Sequence, residues 1–540
     1  ELSTQKMLTG EEEIRFEKIV KQSLESRFID FKKKAQSANN HSFGNAGGIA
    51  LALKLFPDSP QADEAKAWLN RIWENLSEFG DWTEWNYYPY GPIFLHGLID
   101  IAEVTGRIES DNELINAVGN RCLGFIHGGG VRGNPNCGSV VRDDLESVYK
   151  DPWNFGYYNV ETSSRDGHFW YRLAKHYKDP YYLWAAEQVS LGGRPLNGKV
   201  SKEYDSAYER RFAWFIERDI KPKIPEGGAK IGLLSSLKNK IPERLYLNRD
   251  RKAGSAFAAF FLYPEKDEHL DNVSGHLYEY SVSGSKYLHT SGKYNNVYSG
   301  KDLRGGGTGE ESLDLLLVMH NRHQFPLHPD RKGDDRDFMR RGSIKHDDAF
   351  VVAENNNFGD SYGRFAFSNY YGEGSRWERQ VVLTREGFFV VLDRYKGGEV
   401  LGEEYSAGPV WHVGFDEPIK EGSQTESWFD FPPLDNAWWK KKKSRALLIA
   451  HPHPKAKYGR VKQRNSQDTS PNVTVYSYRP ISATNDEYFL NVFIPYDLPV
   501  DTTSIVKKTK THLDSMGRAE VALGHADIKI LIDKSWSVSR

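Results

Sequence analysis

Cysteine is almost missing from this chain: Cys122 and Cys137 are the only two in 540 residues. Two thiols without paired spacing exclude a disulfide-built scaffold and a thiolate metal site. A single bridge and a pair of unlinked thiols both stay open. Net charge is missing as well. The 72 basic residues balance 74 acidic ones to −2, which excludes a general nucleic-acid or membrane-surface binder but allows a locally basic cleft. No apolar run approaches the ~18 residues that span a bilayer, so membrane insertion is not expected. The stretch "RGGGTGEE" lacks the GK[ST] ending of a phosphate-binding loop. An initiator Met is absent from the opening "ELSTQ", which points to a removed targeting segment and a periplasmic or secreted location.

Aromatic residues, by contrast, are abundant, with 14 Trp, 29 Tyr and 28 Phe. Sugar-stacking platforms use such rings, as do ordinary cores. The length exceeds what one hydrophobic core fills, so more than one domain is expected. The first ~240 residues carry helical periodicity. In "EAKAWLNRIWENLSEF", Trp68, Leu69, Ile72, Trp73 and Leu76 share one helix face. "PIFLHGLIDIAEVTG" opens on Pro92 and closes on Gly106, the ordinary asymmetry of helix ends. "KDPYYLWAAEQVSLGG" offers Asp179 as a cap and Pro180 as the first helical residue. Successive helices without strands imply an incomplete (α/α) toroid or a solenoid, and the lack of a strict sequence period speaks against a true repeat protein.

Beyond about residue 245 the texture changes to short β-rich runs such as "GRFAFSNYY", "RWERQVVLT" and "EYFLNVFIPYD", separated by Gly, Asn, Asp and Pro. These imply antiparallel sheets packed face to face as a sandwich. The fold class expected is therefore α then β, with a helical domain over 1–245 and a β-sandwich domain over 246–540.

Polar groups gather at the mouths of the helices. "SANNHSFGNAGG" places Asn39, Asn40 and His41 ahead of a helix expected to begin near Asn45; an amide there is also an ordinary N-cap. "FGDWTEWNYYPYGP" sets Glu84, Trp85, Tyr87 and Tyr88 ahead of the helix opening at Pro92, where aromatics also serve to pin a loop. "NVETSSRDGHFWYRLAKHY" adds Glu161, Arg165 and His168 at a third mouth. Arginine clamps a carboxylate bidentately, or forms a surface ion pair. "WWKKKK", residues 438–443, is read as a solvated loop.

Together with "LDNVSGHLYEYSVSGSKYLHTSGKYNNVYSG", "VMHNRHQ" and the run "FFVVLDRYKGG…GPVWHVGF", these motifs resemble the heparinase II/III-like polysaccharide lyases. That superfamily has an N-terminal α/α toroid bearing an "NH" motif, a following "DG…E…YY" motif, and a "GH" that opens its sheet domain. The matching residues are Asn40–His41, Glu84 with Tyr87–Tyr88, and Gly275–His276. The resemblance implies β-elimination at a 4-linked uronic acid, within an acidic polysaccharide or oligosaccharide. Such chemistry needs hydrogen-bond donors to neutralise the sugar carboxylate while charge spreads onto it. Asn40 and His41 suit that task. It also needs a base for the C5 proton and an acid for the departing O4; tyrosine serves as either once neighbours shift its pKa. Tyr88 is assigned as the leading acid/base and His276 as its partner, with Tyr87 as the fallback and Tyr294 as a second tyrosine. Glu84, Trp85, Glu161, Arg165 and His168 are assigned to substrate binding.

Several relatives hold a structural zinc at positions that correspond here to Tyr278, Thr290 and His320. Only the last is a good zinc ligand, so neither metal nor cofactor is expected. His289, His323 and His328 leave an improvised site conceivable. Within the superfamily, the modest size and the divergent "NNHSFGN" context look unlike typical alginate or heparin lyases, and the chain is taken to resemble the L-rhamnose-α-1,4-D-glucuronate lyases, which release terminal rhamnose from arabinogalactan side chains. Alginate, ulvan and glycosaminoglycan lyases stay open, and the oligomeric state is not legible. Two other classes compete. A toroid glycoside hydrolase would use Glu84 with Glu161 or Asp166 as its carboxylate pair, and a non-catalytic glycan-binding protein would bind without turnover.

Overall fold

The structure, a computed structural model, describes residues 9–34, 40–79, 90–110, 112–124, 167–191, 220–233, 242–252, 254–262, 275, 277–289, 316–320, 350–369, 374–398, 405–413, 420–421, 427–433, 435–436, 442–462, 473–482 and 485–540. The helical part contains α1 (Gly10–Lys34), α2 (Asn40–Leu55), α3 (Ala62–Phe79), α4 (Tyr90–Thr105), α5 (Arg107–Ser110), α6 (Asn112–Leu123), α7 (Gly167–Tyr177) and α8 (Pro180–Leu191).

Local signals account for several helix ends. Thr9 and Glu12 form a reciprocal capping box ahead of α1: Thr9 N donates to Glu12 Oε2 at 2.8 Å and Glu12 N to Thr9 Oγ1 at 3.3 Å. Asp179 caps α8 by accepting from the amides of Tyr181 at 2.7 Å and Tyr182 at 3.3 Å, with Pro180 at the first position as expected. Gly106, in the left-handed region at φ 71°, ends α4. In α3 the apolar stripe reads as anticipated: Leu69, Trp73 and Leu76 are buried and Trp68 and Ile72 pack beside them. Two starts differ. α2 begins at Asn40 rather than near Asn45, so Asn40 and His41 belong to its first turn instead of preceding it, and α4 begins at Tyr90, two residues before Pro92.

Among the described residues, strands begin at Lys230. A first sheet has the order β1 (Lys230–Leu233), β2 (Pro242–Asn248), β3 (Phe257–Phe261), β4 (Leu277–Val282), β5 (Ser285–His289) and β14 (Asp435–Asn436). The 245/246 boundary placed on composition thus falls inside β2, and the change of texture trails the first strand. A second, eight-stranded sheet runs β12 (Lys420–Glu421), β13 (Trp428–Phe431), β15 (Ser444–Ala450), β18 (Asp486–Asp497), β10 (Phe389–Lys396), β9 (Arg376–Leu383), β8 (Ser361–Ser368) and β7 (Phe350–Asn355). A third has the order β16 (Lys457–Lys462), β17 (Val473–Pro480), β11 (Tyr405–Val413) and β6 (Leu316–His320). The last is β19 (Thr509–Leu513), β20 (Ala519–Leu523), β21 (Ile528–Ile532) and β22 (Trp536–Ser539), preceded by α9 (Thr502–Lys508). Every pairing within them is antiparallel.

Side-chain alternation decides the layering. On the eight-stranded sheet, Phe365, Trp377, Val381 and Phe389 face the first sheet, where Phe260 meets Phe365 at 5.4 Å and Tyr280 stacks on Phe389 at 4.9 Å between centroids. This is the face-to-face packing the sequence pattern predicts. The opposite face carries Val382, Val390, Leu392 and Leu490, and these pack on the C-terminal four-stranded sheet through Val521, Ile530 and Ile532. That third layer was not foreseen, because a strand buried on both sides loses the polar alternation by which sheets are counted.

Candidate active site

Three helices point their first turns the same way. On α2 and α4, Gly47 lies against Gly97, with 3.1 Å from an ideal Gly47 Cβ to the Gly97 Cα. Seven residues on, Lys54 forms an ion pair with Glu103. Contacts that rise together along both chains make the two helices parallel, and two buried glycines let the backbones approach. Between α4 and α7, Arg172 Nη2 lies 2.7 Å from Asp100 Oδ1 and 2.9 Å from Glu103 Oε1. Past the Gly106 end of α4, on the short α5 that follows it, the Ile108 carbonyl accepts from the Tyr177 hydroxyl at 3.2 Å and Glu109 lies 3.9 Å from His176, so the contacts advance in chain order on both sides. α7 therefore runs in the direction of α4.

The starts of α2, α4 and α7 carry the sequence-assigned motifs. Asn40 and His41 are the first two residues of α2. Tyr90, two positions after Tyr88 in the sequence, opens α4. His168 is the second residue of α7, two positions after Asp166. From the Arg172 contacts, the start of α7 lies several residues deeper than the start of α4 along the common direction. A helix first turn presents unpaired amides and a positive dipole end, and three such ends on one side favour an anion.

The clamp that fixes this alignment was not recognised from sequence. Lys54 on α2, Asp100 and Glu103 on α4 and Arg172 on α7 form one partly buried ionic network. Burial, with the Arg172 charge beside it, lowers the Lys54 pKa. A signal existed in "LIDIAEV", where two acids are three residues apart among Leu98, Ile99, Ile101 and Ala102, all buried.

On the sheet side, Gly275 adopts φ 85° and is buried against Trp377 and Phe365; a Cβ there would collide with the Trp377 ring. The "GH" motif therefore has a steric reason for its glycine, and Gly275 fixes the chain one residue before His276. The motif does not open the sheet domain, as the resemblance implied: β1, β2 and β3 precede it. Trp377 is held in turn. Its Nε1 donates to Asp393 Oδ1 at 2.8 Å, and Asp393 receives the Arg379 fork at 2.7 and 3.0 Å. The Arg379 guanidinium lies 5.0 Å from the rings of both Trp377 and Trp411. All four side chains are buried, so the ion pair is weakly screened and its geometry rigid.

The two halves touch beside this region. Arg251 Nη1 donates to the Leu123 carbonyl, at the end of α6, at 2.6 Å, and Tyr246 covers Gly124. Burial lowers the Arg251 pKa to about 10. Tyr246 alternates with Leu245, which faces Gly363 on the eight-stranded sheet. The helices therefore meet the face of the first sheet turned away from the β-core.

Glu84, Trp85, Tyr87, Tyr88, Glu161, Arg165, Asp166, His276, Thr290, Tyr294, His323 and His328 lie outside the described residues, as does Cys137. So do the side chains of Asn40, His41, Cys122, His168, Tyr278, His289 and His320, whose backbones are placed. Among the described residues no group of three or more His, Cys, Asp or Glu is arranged to hold a metal, and no helix is long and apolar enough to cross a membrane.

No family profile and no curated protein matches the sequence. Solved structures do match. A heparinase III gene product superposes with a TM-score of 0.59 at 13% identity, over 95% of this chain and 67% of that one. A second heparinase III gives 0.59 at 11% identity, over 95% and 70% of the two chains. A heparan sulfate lyase, HepC, from Pedobacter heparinus gives 0.52 at 12% identity, over 92% and 67%. The chain has the fold of the heparinase-type lyases along almost all of its length.

Proposed function

We propose that this protein is a polysaccharide lyase that cleaves a 4-linked uronic acid by β-elimination. The observation that supports the reading is the common direction of α2, α4 and α7, whose first turns, with the backbones of Asn40, His41 and His168, lie toward one end of the helical part. The fold shared with heparinase III and heparan sulfate lyase supports it. In this reading the helices form an incomplete (α/α) toroid, and the two-sheet stack beginning at Lys230 closes its cleft.

Asn40 and His41 hydrogen-bond the uronate carboxylate and stabilise the charge that develops on it. Tyr88, with His276 as partner, handles the two protons: one group takes the C5 proton, the C5–H electrons form the C4=C5 bond, the C4–O4 bond breaks, and the departing O4 is protonated. Side chains carry the whole sequence, and no cofactor is assigned. Arg165, His168, Glu161, Glu84 and Trp85 line the substrate path, with Tyr87 and Tyr294 as the alternative tyrosines. The preferred substrate is L-rhamnose-α-1,4-D-glucuronate at the ends of arabinogalactan side chains, and an exported location fits it.

A panel of acidic polysaccharides, including rhamnose-capped arabinogalactan, tests the reading by ultraviolet-absorbing unsaturated uronate and free rhamnose. Elimination yields the chromophore, and hydrolysis releases sugar without it. Tyr88→Phe and His276→Ala should each lower kcat by roughly 100-fold or more, the scale of removing an acid–base group, with circular dichroism unchanged. Wild-type rates in both variants would remove the assignment.

A further inference from the structure

The eight-stranded sheet carries a cationic ledge on the face turned away from the first sheet. Three rows of directly opposed residues cross β8, β9, β10 and β18 there: Ser368, Arg376, Lys396 and Asp486; Ala366, Glu378, Arg394 and Tyr488; Arg364, Gln380, Leu392 and Leu490. The C-terminal sheet covers Leu392 and Leu490. The first two rows extend toward the sheet's end, where Arg376 and Lys396 are exposed and Arg394 partly so.

Among the described residues, four cations face two carboxylates on this ledge, in a chain whose overall charge is −2. Both carboxylates are already engaged. Buried Glu378 receives the Arg364 fork at 3.0 and 2.8 Å and the Gln380 amide at 3.2 Å, while Arg376 stands 3.6 Å away. Asp486 receives Arg394 at 2.6 Å, and the Arg394 guanidinium lies 6.0 Å over the Tyr488 ring. The groups are mounted on paired strands, so the backbone beneath them is already ordered and only side-chain rotamers remain to be fixed on binding. Arg364 on β8 and Arg394 on β10 are two strands and one row apart, roughly 12 Å between Cα atoms, a separation on the scale of a disaccharide.

We infer that this ledge is a second binding site for a stretch of uronate-bearing polysaccharide, separate from the candidate active site. The exposed Arg376 guanidinium and Lys396 ammonium attract uronate carboxylates, while the paired Arg364 and Arg394 add to the positive field. The helices meet the opposite side of the first sheet, so the ledge and the helix mouths do not share a face. A site of this kind holds the polymer near the cleft and raises its local concentration. The inference rests on the acidic-polysaccharide reading for its ligand class, but not on elimination as the reaction.

Affinity electrophoresis of the full chain through gels containing sodium polygalacturonate tests it, with neutral dextran and polyphosphate gels as controls. The double variant Arg376→Glu/Lys396→Glu alters two exposed positions and keeps the Glu378–Arg364 pair. It should bind polygalacturonate roughly tenfold more weakly, since two attractions become repulsions. A second variant, Arg394→Gln, should weaken binding in the same direction. Tyr88→Phe should be retarded like the wild type, and added salt should release all of them. Wild-type retardation of both ledge variants overturns the inference, as does equal retardation by polyphosphate, or no retardation of the wild type. Retardation lost in the ledge variants, in a protein that forms no unsaturated product, would leave the ledge standing and remove the lyase reading.

Discussion

Gly275 shows how much one residue carries. Its positive φ already disfavours a side chain, and Trp377 and Phe365 occupy the space a Cβ needs. Gly275→Ala should therefore cost about 2–4 kcal/mol, by backbone strain and overpacking together. Chemical denaturation measures it, and a cost below about 1 kcal/mol would mean the turn relaxes. The short "GH" motif was legible in sequence, and the glycine's reason was not, since Trp377 lies a hundred residues further along the chain. The same holds for the Arg379–Asp393 pair: "RWERQ" and "VLDRY" look like ordinary charged strand edges until the register puts Arg379 opposite Asp393. Buried charges in strands escape a pattern that equates charge with solvent.

Among the elements, the parallel set of α2, α4 and α7 is what gives the candidate site its geometry, and Arg172 is its tie. Arg172→Met removes the only cation linking α7 to Asp100 and Glu103 among the described residues. The expected result is a stability loss of about 1–3 kcal/mol. A kcat/KM lowered roughly 10- to 100-fold should accompany it well below the melting temperature, because misplaced helix mouths misalign reacting groups. Arg172→Lys should restore part of the rate, and a stability loss with unchanged kcat/KM would make the network purely structural. Periodicity foretold the existence of these helices well, including the buried face of α3, the C-terminal end of α4 and the start of α8. It misplaced the start of α2 by five residues, since "NNHSFGN" is rich in residues that read as caps and turns.

For the whole molecule, the C-terminal sheet acts as a third layer clasped by ions. Arg540 reaches Asp360 at 2.6 and 3.1 Å and Glu386 at 3.0 Å. Burial alone would raise the Glu386 pKa, but hydrogen bonds from Arg540 and Arg385 outweigh it and bring it down to about 2. A carboxylate whose folded pKa lies below its unfolded value stabilises the fold above about pH 4.5 and loses that contribution as pH falls toward 2. Arg540→Gln should lower stability at neutral pH by about 1 kcal/mol, allowing for solvent screening, and flatten the acid slope over that window. Melting temperatures from pH 7 to 3 check it, and parallel curves for the two proteins would contradict the assignment.

What the sequence determined by itself was the order of textures, helical and then antiparallel β, because periods of 3.6 and 2 are local properties of side-chain spacing. It also supplied the short motifs at the helix mouths, because caps, amides and aromatics cluster where a helix begins. The tertiary structure decided the rest. Which helix mouths share an end depends on Gly47 against Gly97 and on Arg172 between two acids, contacts that no local window contains. The third sheet layer and the cationic ledge follow from strand register, which pairs residues up to a hundred positions apart and selects the face each side chain takes.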